Sequence, residues 1–125
     1  MTYELKIAIH CLPKSLNKKL RSNRFKNNSE NKRFDFLIAG MVRGRLPKEP
    51  LPKAHIKIVR HFYRTLDFDG LVGSMKPLVD AIVSAGVLKD DSWSVLGPWE
   101  VEQVFRPKSQ GPLIEVIVTG LGPTE

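Results

Sequence analysis

The sequence predicts a single α+β domain, with a mixed sheet of about four strands and two main helices. A chain of 125 residues suits one domain with a modest core. Apolar residues make up 42% of the chain without low-complexity runs, and strand-like and helix-like spacings follow one another along it. No stretch has the composition of a linker, so we expect one folded unit over residues 1–125.

The first half of the chain predicts two strands and a helix. Tyr3 to His10 is an imperfectly alternating run that predicts the first strand, and the following proline ends it. Helical spacing predicts a helix from about Glu30 to Arg43, with Gly44 at its end. Lys53 to Phe62 alternates and predicts a half-buried second strand.

The next segment predicts the second main helix, after Gly70 and ending near Gly86. Pro77 leaves two starts open, because proline is costly inside a helix but harmless in its first turn. The helix either begins near Ser74, with Ser74 as its cap, or runs from Leu71 with a kink. The apolar side of this helix consists of Leu71, Met75, Leu78, Val79 and Ile82.

Two β-rich runs close the chain. Trp93 to Phe105, broken by Gly97-Pro98, and Pro112 to Thr119 predict the last two strands. We expect them to form a hairpin through Arg106 to Gly111.

Basic charge is concentrated in the first half of the chain. The net charge is +7, with a balance of +12 from Met1 to Arg64 and −5 in the remainder. A basic surface is typical of a nucleic-acid-binding protein, although a solvated basic face is the alternative. We expect a flexible basic loop over residues 14–30 that contacts DNA phosphates. The candidate DNA-binding residues are Lys14, Asn17, Lys18, Lys19, Arg21, Arg24, Lys26 and Arg64.

Other classes of protein fit poorly. The one cysteine, Cys11, gives no disulfide framework, and His10, His55 and His61 lack the spacing of zinc ligands. The N-terminus lacks the pattern of a signal peptide, and no apolar run is long enough to span a bilayer. The expectation is a cytoplasmic protein without a membrane partner. The two tryptophans are expected in the core, with stacking on bases as the alternative.

Acidic residues cluster around the second helix. Asp67 and Asp69 are two residues apart, so in an extended segment both side chains leave the same face. Asp90 or Asp91 can join them if the chain returns beside the start of the helix. Neighbouring carboxylates repel one another, and a hard divalent cation such as Mg²⁺ removes that cost.

Lys76 supplies a cation to the same region. Such an ammonium can stabilise charge on a phosphate, and Asp80 can hold it through an i, i+4 pair. The alternative for the aspartates is an ordinary role in turns and at helix caps.

These residues resemble a family signature. Asp67-Phe68-Asp69, the run Lys76 to Ile82 and the run Ala85 to Asp91 are similar to the D-x-D-N-L … K-x-x-x-D-A-L … G-x-x-x-D-D pattern of the RusA family of Holliday-junction resolvases. These are small endonucleases of bacteria and their phages. A weaker similarity lies at residues 13–17. Gly70 departs from the pattern, which has asparagine there.

The resemblance implies a RusA-like fold and a cytoplasmic homodimer, encoded by a bacterium or a prophage. The implied activity is paired cleavage of four-way DNA junctions in recombination and repair, with Mg²⁺ or alternatively Mn²⁺. Asp67, Asp69 and Asp91 would be catalytic metal ligands, with Asp90 as the alternative to Asp91. Lys76 would be the catalytic lysine, supported by Asp80.

Two other functions remain open. One is a basic nucleic-acid-binding protein of the same fold that cuts nothing, which Gly70 keeps open. The other is a small protein-interaction domain, whose binding would lack the steep salt dependence that phosphate contacts give.

Overall fold

A four-stranded mixed sheet is the frame of the computed structural model, which describes residues 3–10 and 35–121. The strands are β1 (Glu4–Ile9), β2 (Ala54–Phe62), β3 (Glu100–Phe105) and β4 (Leu113–Gly120), in the spatial order β1-β4-β2-β3. β4 pairs antiparallel with β1 and β2, whereas β2 and β3 are parallel. The predicted α+β class with a mixed four-stranded sheet is confirmed.

The predicted hairpin between the last two strands is wrong. β4 lies between β1 and β2, and β3 pairs with β2 instead. Burial explains the difference, because alternate residues of β4 are buried while most of β3 is exposed. A strand with Glu100, Glu102 and an exposed Phe105 suits an edge, whereas Ile114 and Val116 need a central position.

The first helix, α1, covers residues 35–41 of the described chain. Ile38 on this helix and Val42 just after it are buried in the core. Gly44 has a φ of 79° at the end of this segment, as expected. Residues 30–34, where the predicted helix begins, lie outside the described residues.

The main helix, α2, runs from Phe68 to Ser84 and packs its apolar side against the sheet. It starts earlier than both predicted starts, with Asp67 as the N-cap, while the Ser74 hydroxyl is buried and donates to the Leu71 carbonyl. The helix continues through Pro77, which costs about 3 kcal/mol in a helix interior. Burial of neighbours such as Leu78 offsets that cost.

The chain then returns alongside α2. Gly86 has a φ of 95° where α2 was expected to end. The Leu51 amide donates to the Val87 carbonyl at 2.9 Å, and the Lys89 amide donates to the Leu51 carbonyl at 3.0 Å. These bonds fix the path of residues 87–89.

A short helix, α3 (Trp93–Leu96), precedes β3. The first part of the run predicted as a strand from Trp93 to Phe105 is therefore helical. Ser92 precedes this turn in an extended conformation, and Gly97 ends it with a φ of 61°. In the described part of the chain, no helix is long and apolar enough to cross a membrane.

Candidate active site

A lysine held between two carboxylates marks the candidate site. The Lys76 ammonium lies 3.0 Å from Asp80 Oδ1, one helical turn further along α2. It also donates to Asp91 Oδ2, on the segment that returns beside the helix. Lys76, Asp80 and Asp91 are called the lysine–carboxylate cluster below. The predicted i, i+4 pair is therefore present.

The two carboxylates keep the lysine charged. Partial burial acts to lower the pKa of the Lys76 ammonium, but the hydrogen bonds that it donates to Asp91 and Asp80 outweigh this effect. The net pKa is raised above its ordinary value, so Lys76 carries a positive charge at neutral pH. It can attract a phosphate but cannot act there as a base.

Asp67 has an extended backbone, but Asp69 lies in the first turn of α2, so the expectation of one extended segment that carries both is wrong. Asp67 is the N-cap of α2, where its Oδ1 accepts a hydrogen bond from the Gly70 amide at 2.8 Å. Asp69 is already in the first helical turn, with its side chain exposed. The physical reason is that a carboxylate at this end satisfies a free amide and opposes the helix dipole.

Gly70 gives the Asp67 carboxylate room to fold back over the helix end. A Cβ atom at position 70 would lie 2.7 Å from Asp67 Oδ1. Any other residue would therefore require the Asp67 side chain to turn away. The departure from the family pattern at Gly70 is coupled to the orientation of a proposed metal ligand.

The structure distinguishes Asp90 from Asp91. Asp90 Oδ1 accepts a hydrogen bond from the Ser92 amide at 2.8 Å. The Asp90 carboxyl has a lowered pKa because it accepts hydrogen bonds from Ser92, with the larger effect from the Ser92 side chain and the smaller from the Ser92 amide. Asp90 thus turns towards its own backbone, whereas Asp91 faces Lys76.

The carboxylates have the donor chemistry that a hard cation such as Mg²⁺ prefers. Asp69 is exposed, and none of the described cations forms an ion pair with it. Among the described residues, however, no three His, Cys, Asp or Glu side chains are grouped so that they could hold a metal ion. The ligand set of Asp67, Asp69 and Asp91 therefore stays a prediction.

Hydrogen bonds from the side chains of Arg60 and Gln103, called the clasp below, position the segment that leads into α2. Gln103 Oε1 on β3 accepts from the Leu66 amide at 2.8 Å, and Gln103 Nε2 donates to the Leu66 carbonyl at 2.9 Å. The Arg60 guanidinium on β2 donates to the Arg64 carbonyl at 2.6 Å and to Gln103 Oε1 at 3.2 Å. Both ends of residues 64–66 are thus tied to the sheet just before Asp67.

Arg60 is an unusual residue for this role because it is only 6% exposed. Burial lowers the pKa of its guanidinium, and its charge also lies 5.2 Å from the centre of the Phe62 ring. Neither Arg60 nor Gln103 was predicted as a site residue from the sequence. Their one signal was a polar residue at a core-facing position of a strand.

A second group of side chains carries positive charge just beyond the ends of β2 and β3. The Arg64 guanidinium lies 5.3 Å from the centre of the Tyr63 ring, and the Lys108 ammonium lies 5.6 Å from it. Arg64 was predicted to bind DNA; Tyr63 and Lys108 were not singled out. Cations around an aromatic ring are typical of nucleic-acid interfaces.

The tryptophans differ from one another. Trp99 is half-buried and packs on the core, as expected, but Trp93 is 75% exposed, so its expected place in the core is wrong. Trp93 is the first residue of α3, whereas Val95 and Leu96 of the same helix are buried. Trp93, Trp99, Phe68, Val72 and Asp91, with the turn at residues 97–98, line a groove of about 310 Å³, called the aromatic groove below.

The remaining predicted site residues lie outside the described residues. They are Lys14, Asn17, Lys18, Lys19, Arg21, Arg24 and Lys26. Of the site residues that the structure describes, it brings Lys76, Asp80 and Asp91 together and places Asp67 and Asp69 at the start of α2.

Comparison of the chain with protein-family models and with curated proteins gives no match.

The clasp predicts a measurable loss of stability when it is removed. Gln103→Leu leaves the Leu66 amide and carbonyl without these partners, so we expect the free energy of unfolding to fall by about 1–3 kcal/mol. Gln103→Glu keeps the acceptor and should lose less. Urea denaturation measures both, with the exposed Gln110→Leu as a matched control. A Gln103→Leu protein as stable as the Gln110→Leu protein would contradict the proposed clasp.

Proposed function

We propose that this protein is a magnesium-dependent, structure-selective DNA endonuclease that resolves Holliday junctions as a homodimer. The observation that carries the proposal is the pairing of the Lys76 ammonium with Asp91. Asp91 lies near the start of α2, which Asp67 and Asp69 occupy. The groove lined by both Phe68 and Asp91 supports this proximity. The resemblance of the same residues to the RusA signature supports the type of reaction.

Each residue has a separate task in this proposal. Asp67, Asp69 and Asp91 would hold the divalent cation, which when bound activates water and stabilises charge on a phosphate. Lys76 has three N–H donors, of which Asp80 and Asp91 take two. The third can donate to a phosphate oxygen, where a fixed positive charge stabilises the developing negative charge.

Asp80 is a positioning residue in this scheme. It contacts Lys76 from the same helix and therefore restricts the directions that the ammonium can take. The Asp67 cap has a similar effect, since one carboxylate oxygen is bound to the helix end while the second remains for a ligand. The clasp through Gln103 fixes the backbone before both.

A second candidate is a DNA-binding protein of the same fold that does not cleave. The observation that favours it is the absence, among the described residues, of three grouped metal-binding side chains. Gly70 contributes, because it allows Asp67 to turn towards the helix end. Binding of branched DNA without cleavage under any divalent cation would support this candidate.

Cleavage of a synthetic four-way junction tests the proposed activity. We expect wild-type protein to cut the junction with Mg²⁺ and to be inactive with chelator. Asp69→Asn and Asp91→Asn should lower the cleavage rate by at least about 100-fold, because each removes a carboxylate ligand of the divalent cation.

The matched control for these variants is Glu49→Gln, which removes an exposed acid from the connector before β2. Its cleavage rate should equal that of the wild type. Unchanged cleavage by Asp69→Asn, or equal cutting of linear duplex and junction, would contradict the proposal.

The cations around Tyr63 predict a change in salt dependence. Arg64→Gln and Lys108→Gln should weaken junction binding and each reduce the slope of log affinity against log salt by about 1. The control is Lys57→Gln, because the Lys57 ammonium is already paired with Glu100 and Glu102 at 3.4 and 3.3 Å. Fluorescence anisotropy at several salt concentrations gives the slopes. An equal change in slope for all three variants would remove these two residues from the interface.

A further inference from the structure

The aromatic groove adjoins the lysine–carboxylate cluster. Phe68 is 69% exposed and Trp93 is 75% exposed, although both are large apolar side chains. Neighbouring apolar side chains that stay open to solvent mark a binding surface. Asp91 belongs to both places, since it lines the groove and accepts a hydrogen bond from Lys76. A ligand in the groove therefore lies next to the proposed cleavage centre.

A larger cavity adjoins the aromatic groove. It has a volume of about 590 Å³ and shares Trp93, Trp99 and the turn at residues 97–98 with the aromatic groove. Lys53, His55 and Glu100 lie in its wall, and His55 is paired with Glu100 at 3.2 Å. Of these side chains, the Lys53 ammonium is a cation that can contact a phosphate.

The exposed rings and the adjoining cavity restrict the kind of ligand that the groove can bind. Exposed flat rings in a groove match the flat bases of a nucleic-acid strand, and Lys53 in the wall of the adjoining cavity can contact a phosphate of the same strand. The volume of about 310 Å³ falls at the lower end of the range for small-ligand sites. Trp99 packs on the core, so part of the stacking surface is already fixed before binding.

We propose that the aromatic groove stacks unpaired nucleobases of the DNA strand at the cleavage centre, on the rings of Phe68 and Trp93. The inference rests on the proposed function, because it concerns the bases of the same DNA. The inference also extends the proposed function, because a base can enter the groove only where it has left the duplex stack. The groove therefore favours branched or open DNA over intact duplex, since unstacking a base in duplex costs free energy.

The test compares two oligonucleotides of ten nucleotides, oligo-dT and an abasic strand with the same number of phosphates, in the presence of chelator. We expect wild-type protein to bind oligo-dT at least about fivefold more tightly than the abasic strand, the effect of stacking one base. Trp93→Ala should lose this preference, and Trp93→Phe should keep most of it. Fluorescence anisotropy gives the affinities.

Phe105→Ala is the matched control, because Phe105 is 73% exposed at the end of β3 and does not line either cavity. It should keep the full preference for oligo-dT. The exposure of Trp93 means that Trp93→Ala should keep its melting temperature; if it does not, Phe68→Ala replaces it in the same assay. Equal binding of the two strands by the wild type, or an equal loss in Phe105→Ala, overturns the inference.

The two proposals fail in different ways. A preference for oligo-dT that depends on Trp93, without cleavage of any junction, supports the groove and overturns the nuclease. Junction cleavage without that preference overturns the groove and supports the nuclease. Failure to bind either strand overturns the groove.

Discussion

The contact between Lys76 and Asp91 is the interaction on which the candidate site depends. It joins two segments that are 15 residues apart in sequence, the middle of α2 and the end of the returning chain. The return is possible because α2 stops at Ser84 and Gly86 adopts a positive φ. Hydrogen bonds to Leu51 then direct residues 87–89. A charged pair at half-exposed positions contributes little stability, so its value lies in the orientation of the two groups.

The other end of the site is fixed by buried polar contacts. A buried guanidinium without hydrogen-bond partners is costly in free energy. The Arg60 guanidinium avoids this cost by donating to the Arg64 carbonyl and to the Gln103 side chain. Gln103 in turn holds both polar groups of Leu66. The parallel pairing of β2 and β3 places Arg60 and Gln103 opposite each other, which makes the clasp possible. The topology of the sheet thus determines where α2 begins.

Local patterns in the sequence predicted the elements well. Three of the four strands have bounds within about two residues of the expected ones, because β-rich alternation follows directly from burial of one face. Pairing was harder: β3 and β4 are neighbours in sequence, but the greater burial of β4 decides its central position. The acids of β3 and the apolar residues of β4 are consistent with this order, but the choice of partner strands depends on the whole sheet.

The candidate site could likewise be predicted only where local sequence spacing determines the contact. The Lys76–Asp80 pair follows from helical spacing alone, and its contact with Asp91 required only that the chain turn back after Gly86. The role of Asp67 as a cap could not be chosen from sequence, since an extended residue and an N-cap share the same backbone region. The strand pattern marks Gln103 as a polar residue at a core-facing position, but its partner Leu66 is 37 residues away in sequence and could not be predicted from that pattern.

The central proposal is that the start of α2 and the end of the returning segment together bind one divalent cation. Paramagnetic broadening of backbone amide signals during an Mn²⁺ titration tests it most directly. The account predicts that residues 67–70 and 90–92 broaden together at the same Mn²⁺ concentration. The acidic residues of β3, Glu100 and Glu102, should stay sharp because both are paired with Lys57. Broadening confined to one of the two segments, or centred on β3, would contradict the account.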